Sequence, residues 1–411
     1  MENLENRQFD LVQKGKEYVK HKHDISYGLT PSRIAKQSKI KAKLLRLFKG
    51  SEEDWKDWVW QMQYRIISVE QLNEIFPLGD SRKAEIHEAA SKVRFAISPY
   101  YLSLMDSCEN TDPIAMMSLP SSLELLKSGT IDPMGESFAN PAGSITRRYP
   151  DRVIINVTNS CASFCRHCQR KRHIGSIDMK TSDKKIRDSL HFIENHNEIR
   201  DVLVTGGDAL SLADDELEFI VSKIRNVKHV EIIRIGTRMP ANLPQRITPG
   251  LAQMLSKYGP IYVNTQFNHP VEITEDSMSA LNILADKGIV LGNQMVLLKG
   301  INDNRHVVRF LNEKLLVARV RPYYIFHAKS VQGTTHFQTS IEKGLEIMEY
   351  LRGNTSGLAI PTYVFNAPNG LGKIPISPNY LVRESENEII LQTWENRHIS
   401  IEKHDSTETR K

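Results

Sequence analysis

From residue 152 onward the chain repeats one unit, a short β-branched run followed by an amphipathic stretch. The runs are Arg152–Thr158, Asp201–Thr205, Val230–Gly236, Ile261–Gln266, Val290–Leu298, Pro322–Phe326 and Thr362–Phe365. Between them Ile186, Leu190 and Ile193, and then Leu217, Ile220, Val221 and Ile224, recur at the spacing of a packed helical face. Parallel strands need a crossover, so strand and helix in alternation predict a parallel sheet with helices outside it. Six or seven such units predict an α/β barrel, closed or incomplete, rather than a flat doubly wound sheet. No Gly-x-Gly-x-x-Gly follows the first run, which argues against a dinucleotide-binding sheet.

The preceding residues read as helical and irregular. Ser51-Glu52-Glu53-Asp54 has the form of an N-cap with an acidic first turn, and Trp55, Trp58 and Met62 follow at helical spacing as expected core. The segment Arg94–Tyr101 is expected to break at Pro99 and lead into a linker containing a lone, ordinary thiol, Cys108. The basic run Arg33, Lys36, Lys39, Lys41, Lys43 and Arg46 is interleaved with Ile40, Leu44, Leu45 and Leu47, the pattern of an amphipathic helix rather than of a nucleic-acid surface. The last 30 residues, ending in Asp405–Lys411, read as a polar tail. The expected division is a helical region 1–146, a barrel 147–375 and a short C-terminal extension and tail 376–411. A net charge of +5 is mild for 411 residues. With few cysteines, no basic n-region before an apolar core and no run of membrane-spanning length, the expectation is a cytoplasmic protein with neither nucleic acid nor membrane as partner.

Three of the four cysteines fall within Cys161-Ala162-Ser163-Phe164-Cys165-Arg166-His167-Cys168. Thiolates at C-x3-C-x2-C spacing converge on a soft metal centre and leave one ligand short of four. Structural zinc would need a fourth ligand, for which His167 or His173 is at hand. A cubane iron–sulfur cluster can be held by three cysteines with one iron left open. Barrel enzymes place their chemistry after the C-terminal ends of strands. There the chain has the cysteines after the first run, Thr205-Gly206-Gly207-Asp208 after the second, and Asn268-His269-Pro270 after the fourth. Lys329 follows the sixth run and Lys373 the seventh, so five polar features are expected to face one cavity. Lys373 closes the glycine-containing loop Asn366–Lys373, and a lysine enclosed in a cavity can lose its proton and form a Schiff base with an aldehyde.

The cysteine motif after a first barrel strand resembles the radical S-adenosylmethionine (SAM) superfamily. That resemblance implies a [4Fe–4S] cluster on Cys161, Cys165 and Cys168, SAM chelating the open iron, and Gly206-Gly207-Asp208 as the element beside the methionyl amine. With Asn366–Lys373, Arg148-Tyr149-Pro150-Asp151-Arg152, Arg234–Thr237, Gly292-Asn293-Gln294 and Pro322-Tyr323-Tyr324, nearly the whole chain resembles the lysine 2,3-aminomutase family. The resemblance implies that Lys373 carries pyridoxal 5'-phosphate (PLP), that Arg148, Arg152 and Gln294 surround its phosphate, and that Arg170 pairs with the substrate α-carboxylate. It further implies an electron donor of flavodoxin or ferredoxin type and a homo-oligomer. Lysine-specific members carry two aspartates against the substrate's distal ammonium, and here those positions are Lys329 and Asn366. An ammonium about 4 Å from Lys329 at an effective dielectric near 20 meets a repulsion of roughly 4 kcal/mol, close to a thousandfold in affinity. A distal carboxylate finds a cation and an amide donor instead, unless Lys329 turns outward. The pattern is similar to the glutamate 2,3-aminomutase branch. It implies migration of the amino group of L-glutamate from C2 to C3 to give β-glutamate, with conversion of L-lysine to β-lysine as the alternative. No cysteine follows Cys168, so a C-terminal cysteine zinc site is not expected.

Overall fold

The computed structural model describes residues 2–403, and the Asp405–Lys411 end of the expected tail lies outside them. All seven predicted runs are strands of one sheet. The strands are β1 (Ile145–Arg147), β2 (Arg152–Asn156), β3 (Asp201–Thr205), β4 (Ile232–Gly236), β5 (Ile261–Thr265), β6 (Val290–Leu297), β7 (Arg321–His327), β8 (Thr362–Asn366) and β9 (Lys373–Pro375). They lie in sequence order, each bonded to the next. β2 through β8 are parallel, while β1 and β9 add antiparallel edges. The sheet therefore curls without its first and last strands pairing, an incomplete barrel.

The strand period of two sorts the side chains. Val202, Val204, Ile233 and Ile235 are fully buried and pack with Ile186, Leu217, Ile220 and Ile224 of the crossover helices. Their neighbours Leu203, Thr205, Arg234 and Gly236 face the lumen and line a cavity. At the last edge, β8 and β9 form a hairpin in which Asn366 and Lys373 are direct partners. The turn between them needs left-handed backbone at Asn369 (φ 57°), Gly370 (φ 76°) and Gly372 (φ 97°).

The N-terminal region forms a second core. Ser51 is a true N-cap: its hydroxyl accepts from Asp54 N at 3.1 Å, and the Asp54 carboxylate accepts from Ser51 N at 2.8 Å. Ser51→Ala is expected to cost about 1 kcal/mol, read as a lower denaturant midpoint with unchanged slope. The helix stops at Asp57, so Trp55 packs in the N-terminal core while Trp58 packs on the barrel core beneath the Arg246 guanidinium, 4.5 Å away. The basic run is the amphipathic helix Pro31–Phe48, with Ile40 and Leu44 buried. Cys108 is buried in the N-terminal core, which pushes its thiol up to about 12.

Two expectations are corrected. Pro99 opens rather than ends a structured segment: it is the first residue of helix Pro99–Ser103, capped by Ser98, and Tyr100, Tyr101 and Leu102 are fully buried. The expected linker is thus part of the core. The expected C-terminal tail forms an antiparallel sheet of β10 (Leu381–Glu384), β11 (Glu388–Gln392) and β12 (His398–Glu402). Ile389 faces Ile401 and Leu391 faces Ile399. The first helix, Glu2–Asp24, braces this sheet through Arg7 and Lys14, which reach Glu395 at 2.8 and 3.2 Å.

Candidate active site

A cavity of about 280 Å³ fills the half-barrel lumen and opens among the loops that follow the strands. Cys161, Cys165, Cys168, Gly206, Gly207 and Asp208 line it, as do Arg148, Arg170, Gln294, Lys329, Asn366 and Lys373. Arg152 is not on its wall. It opens β2, stacks on the Tyr149 ring at 3.9 Å and pairs with Asp151 at 3.1 Å. Asn268-His269-Pro270 does not face the cavity either, because the fully buried Glu272 carboxylate accepts from Asn268 N and His269 N while His269 Nδ1 accepts from Val271 N. Strand-end position alone had suggested that it would.

The thiol end is fastened from several sides. Phe164 N donates to Ala96 O at 2.9 Å and Arg166 N to Met117 O at 2.8 Å, tying the cysteine loop to the N-terminal core. Arg166 and Lys171 share the buried carboxylate of Glu124, each at 2.6 Å. Arg238, also buried, donates to Cys165 Sγ at 2.9 Å and is held by Glu272 at 2.6 Å and Tyr101 at 2.8 Å. A Cβ on Gly206 would come within 2.4 Å of Thr158 O, and one on Gly207 within 2.3 Å of Ser160 O. Both glycines therefore let the strand end lie against the loop that carries the cysteines. The Asp208 carboxylate accepts from Arg238 N at 2.6 Å and Leu210 N at 3.0 Å. Burial, then the neighbouring Asp208 and the other thiols, push Cys161 well above the usual thiol range, and burial followed by Cys165 raises Cys168. A metal centre that displaces the thiol protons relieves that penalty. Among the described residues no three His, Cys, Asp or Glu side chains are drawn together as a set around one ion.

The other end is cationic. Lys373 Nζ lies 4.8 Å from the Tyr324 ring and 5.7 Å from that of Phe326, and Lys373 N donates to Tyr149 Oη at 2.9 Å. Burial, then Arg234, Arg152 and Arg148, push its amine down to about 8. Lys329 turns inward: Nζ donates to Gln169 Oε1 and sits 5.4 Å from the Phe326 ring. Burial, then Arg148, push it down to about 7. Arg170 Nε and Nη2 both donate, at 3.0 Å, to the carboxylate of Glu136. Glu136, Gln169, Arg238 and Tyr324 were not singled out from the sequence, although Gln169 lies in the stretch Cys161–Arg172 and Tyr324 in Pro322-Tyr323-Tyr324, both of which carry the family resemblance.

Five side-chain atoms on this wall are buried without a partner among the described residues: His167 Nδ1, Asn242 Oδ1, Asn264 Nδ2, Thr265 Oγ1 and Asn366 Nδ2. An unpaired buried polar group costs about 1–3 kcal/mol, so their number in one cavity points to bound groups that satisfy them. Thiols at one end, a cluster of cations at the other and unpaired donors and acceptors between them fit a soft metal centre, a phosphate and an amino acid.

Residues 155–311 match the Radical SAM superfamily, and residues 348–406 match Lysine-2,3-aminomutase. The chain is 50% identical over 406 residues to the glutamate 2,3-aminomutase of Clostridioides difficile, covering 98% of this chain and 96% of that one. It is 47% identical over 352 residues to the L-lysine 2,3-aminomutase of Clostridium subterminale, covering 85% of each. To the L-lysine 2,3-aminomutase of Methanococcus maripaludis it is 46% identical over 348 residues, covering 84% of this chain and 80% of that one. With such relatives along nearly its whole length, the chain belongs to the 2,3-aminomutase family of the radical SAM superfamily.

Proposed function

We propose that this protein moves the amino group of L-glutamate from C2 to C3 to give β-glutamate. The observation that carries the substrate choice is Lys329, a cation turned into the cavity whose one hydrogen-bond partner among the described residues is the neutral Gln169, on a wall shared with Asn366, whose Nδ2 has no partner among them. An anionic distal group completes that pair and an ammonium is repelled by it. Identity to a glutamate 2,3-aminomutase supports the same reading.

In this reading Cys161, Cys165 and Cys168 hold a [4Fe–4S] cluster, with Gly206, Gly207 and Asp208 beside SAM. Arg148 and Gln294 on the cavity wall take the phosphate of PLP, Arg152 stands off that wall as an outer cation whose charge acts on Lys373, and Lys373 supplies the amine that carries the cofactor. When bound, the cluster and SAM supply a hydrogen-abstracting radical and PLP an electron sink for nitrogen transfer. The chain supplies position and seclusion. Arg170 takes the α-carboxylate, Lys329 and Asn366 take the distal one, and C2 and C3 are thereby stretched between fixed anchors. Segment 127–143 covers the strand-end loops: Thr130 N donates to Ser330 O, Gln332 N to Thr130 O and Asn369 N to Pro133 O, each at 2.9 Å. Lys373, with burial lowering its proton affinity, is poised to act as a nucleophilic amine near neutral pH.

The proposal extends to an electron donor of flavodoxin or ferredoxin type, a homo-oligomer, a cytoplasmic setting, and the three-part division 1–146, 147–375 and 376–411. Among the described residues no helix is long and apolar enough to cross a membrane. The test is anaerobic incubation of the cluster- and PLP-loaded protein, SAM and reductant with carbon-13-labelled glutamate or lysine, followed by NMR. β-Glutamate is expected, and β-lysine at a rate lower by about a thousandfold. Turnover of lysine but not glutamate overturns the assignment.

A further inference from the structure

Glu136 lies in the covering segment and is buried, but it is not on the cavity wall. It stands behind two residues that are, Arg170 and Arg148. Its carboxylate takes the Nε–Nη2 edge of Arg170 in two bonds of 3.0 Å, lies 3.7 Å from Arg148 Nη2, and is steadied by Arg172 at 3.4 Å. Arg172 is itself tied to Asp132 at 3.1 Å, and Asp132 accepts from Ser137 N at 3.0 Å, so the carboxylate is braced from its own loop. A guanidinium has two forked edges. With one edge committed to Glu136, Arg170 Nη1 has no hydrogen-bond acceptor among the described residues. Burial opposes the charge of Glu136, but Arg170, Arg148 and Arg172 together hold its carboxyl below the usual carboxylate range, so it stays an anion.

We infer that Glu136 is a positioning residue for substrate binding: it grips Arg170 from behind and presents the remaining guanidinium nitrogen to the substrate α-carboxylate. The inference rests on the reading that Arg170 takes that carboxylate. It explains how a long, flexible arginine is kept in one geometry beside Arg148, Lys329 and Lys373 without filling the substrate space.

The test is equilibrium binding to unreduced protein loaded with cluster, SAM and PLP, by calorimetry, comparing glutamate with 4-aminobutyrate, which is glutamate without the α-carboxylate. Glu136→Asp keeps the charge and shortens the reach by one methylene. It is expected to weaken glutamate about tenfold and to leave 4-aminobutyrate within about twofold, so the ratio of the two Kd values collapses. Glu136→Gln, which offers one acceptor where the fork needs two, is expected to lower the ratio likewise. Glu136→Asp leaves the cavity charge as it is, and the anion lost in Glu136→Gln favours the more anionic glutamate, so a fall in the ratio does not come from a general change in charge. If one variant fails to fold, the other carries the comparison. A ratio unchanged from the parent protein, or equal weakening of both ligands, overturns the inference. Arg170→Gln separates the two levels. If it leaves glutamate binding intact, the α-carboxylate reading fails; if it weakens glutamate while Glu136→Asp does not, only the role of Glu136 fails.

Discussion

Replacing Lys329 and Asn366 together by aspartate is expected to lower kcat/KM for glutamate by about a thousandfold or more and to bring lysine turnover into the measurable range. The cation at 329 becomes an anion in a buried site, so attraction to the distal carboxylate turns into repulsion. Each such interaction is worth roughly 4 kcal/mol at about 4 Å and an effective dielectric near 20. Asn366 contributes less, as an unpaired amide donor converted to an acceptor. Parallel kcat/KM measurements on both amino acids check this, and a glutamate value within tenfold of the parent would show that neither residue meets the substrate. pH gives a second handle. Lys329 must be protonated to pair with a carboxylate, and burial holds it near 7. The cation is therefore present below that value and lost above it. Glutamate affinity of the parent protein is expected to fall as pH rises through about 7, and Lys329→Met is expected to lose that dependence.

Lys373→Ala is expected to abolish retention of PLP and to lower turnover by at least about a thousandfold, because the covalent anchor and its exchange with the substrate amine are both lost. The visible band of the lysine–PLP adduct disappears after desalting, while cluster absorption and SAM binding persist at the far end of the cavity. Loss of both bands together would mark a folding failure, and PLP retained with full turnover would remove Lys373 from its role. The amine is the reactive form and is held near 8, so PLP uptake by the parent protein is expected to speed up as pH rises toward that value.

The barrel was legible because fully paired parallel strands must be apolar on their outward face, and runs such as Val202–Val204 and Ile233–Ile235 state this directly. Three-residue edges such as β1 and β9 are too short to show a period, and the strands of the C-terminal sheet are only four or five residues long, each with a charged residue at an end. In the site, the cysteines and lysines announce themselves by spacing and local loops. Glu136 and Arg238 do not: each acts on a residue dozens of positions away, Arg170 and Cys165, and no local pattern encodes that pairing. Asn268 and His269 show the converse: Asn268 Oδ1 accepts from Val296 N on β6 and His269 Nδ1 from Val271 N in its own turn, so polar side chains at a strand end were spent on holding the backbone.

The hairpin pairing of Asn366 with Lys373 sets a rule about length. A strand shifted by one residue turns each of its side chains to the opposite face. One amino acid inserted into or deleted from residues 367–372 would thus either force a bulge or send the lysine out of the lumen. Substrate taste can drift by exchange of the residue at 366, whereas the spacing to Lys373 is a ruler that working descendants of this chain must keep.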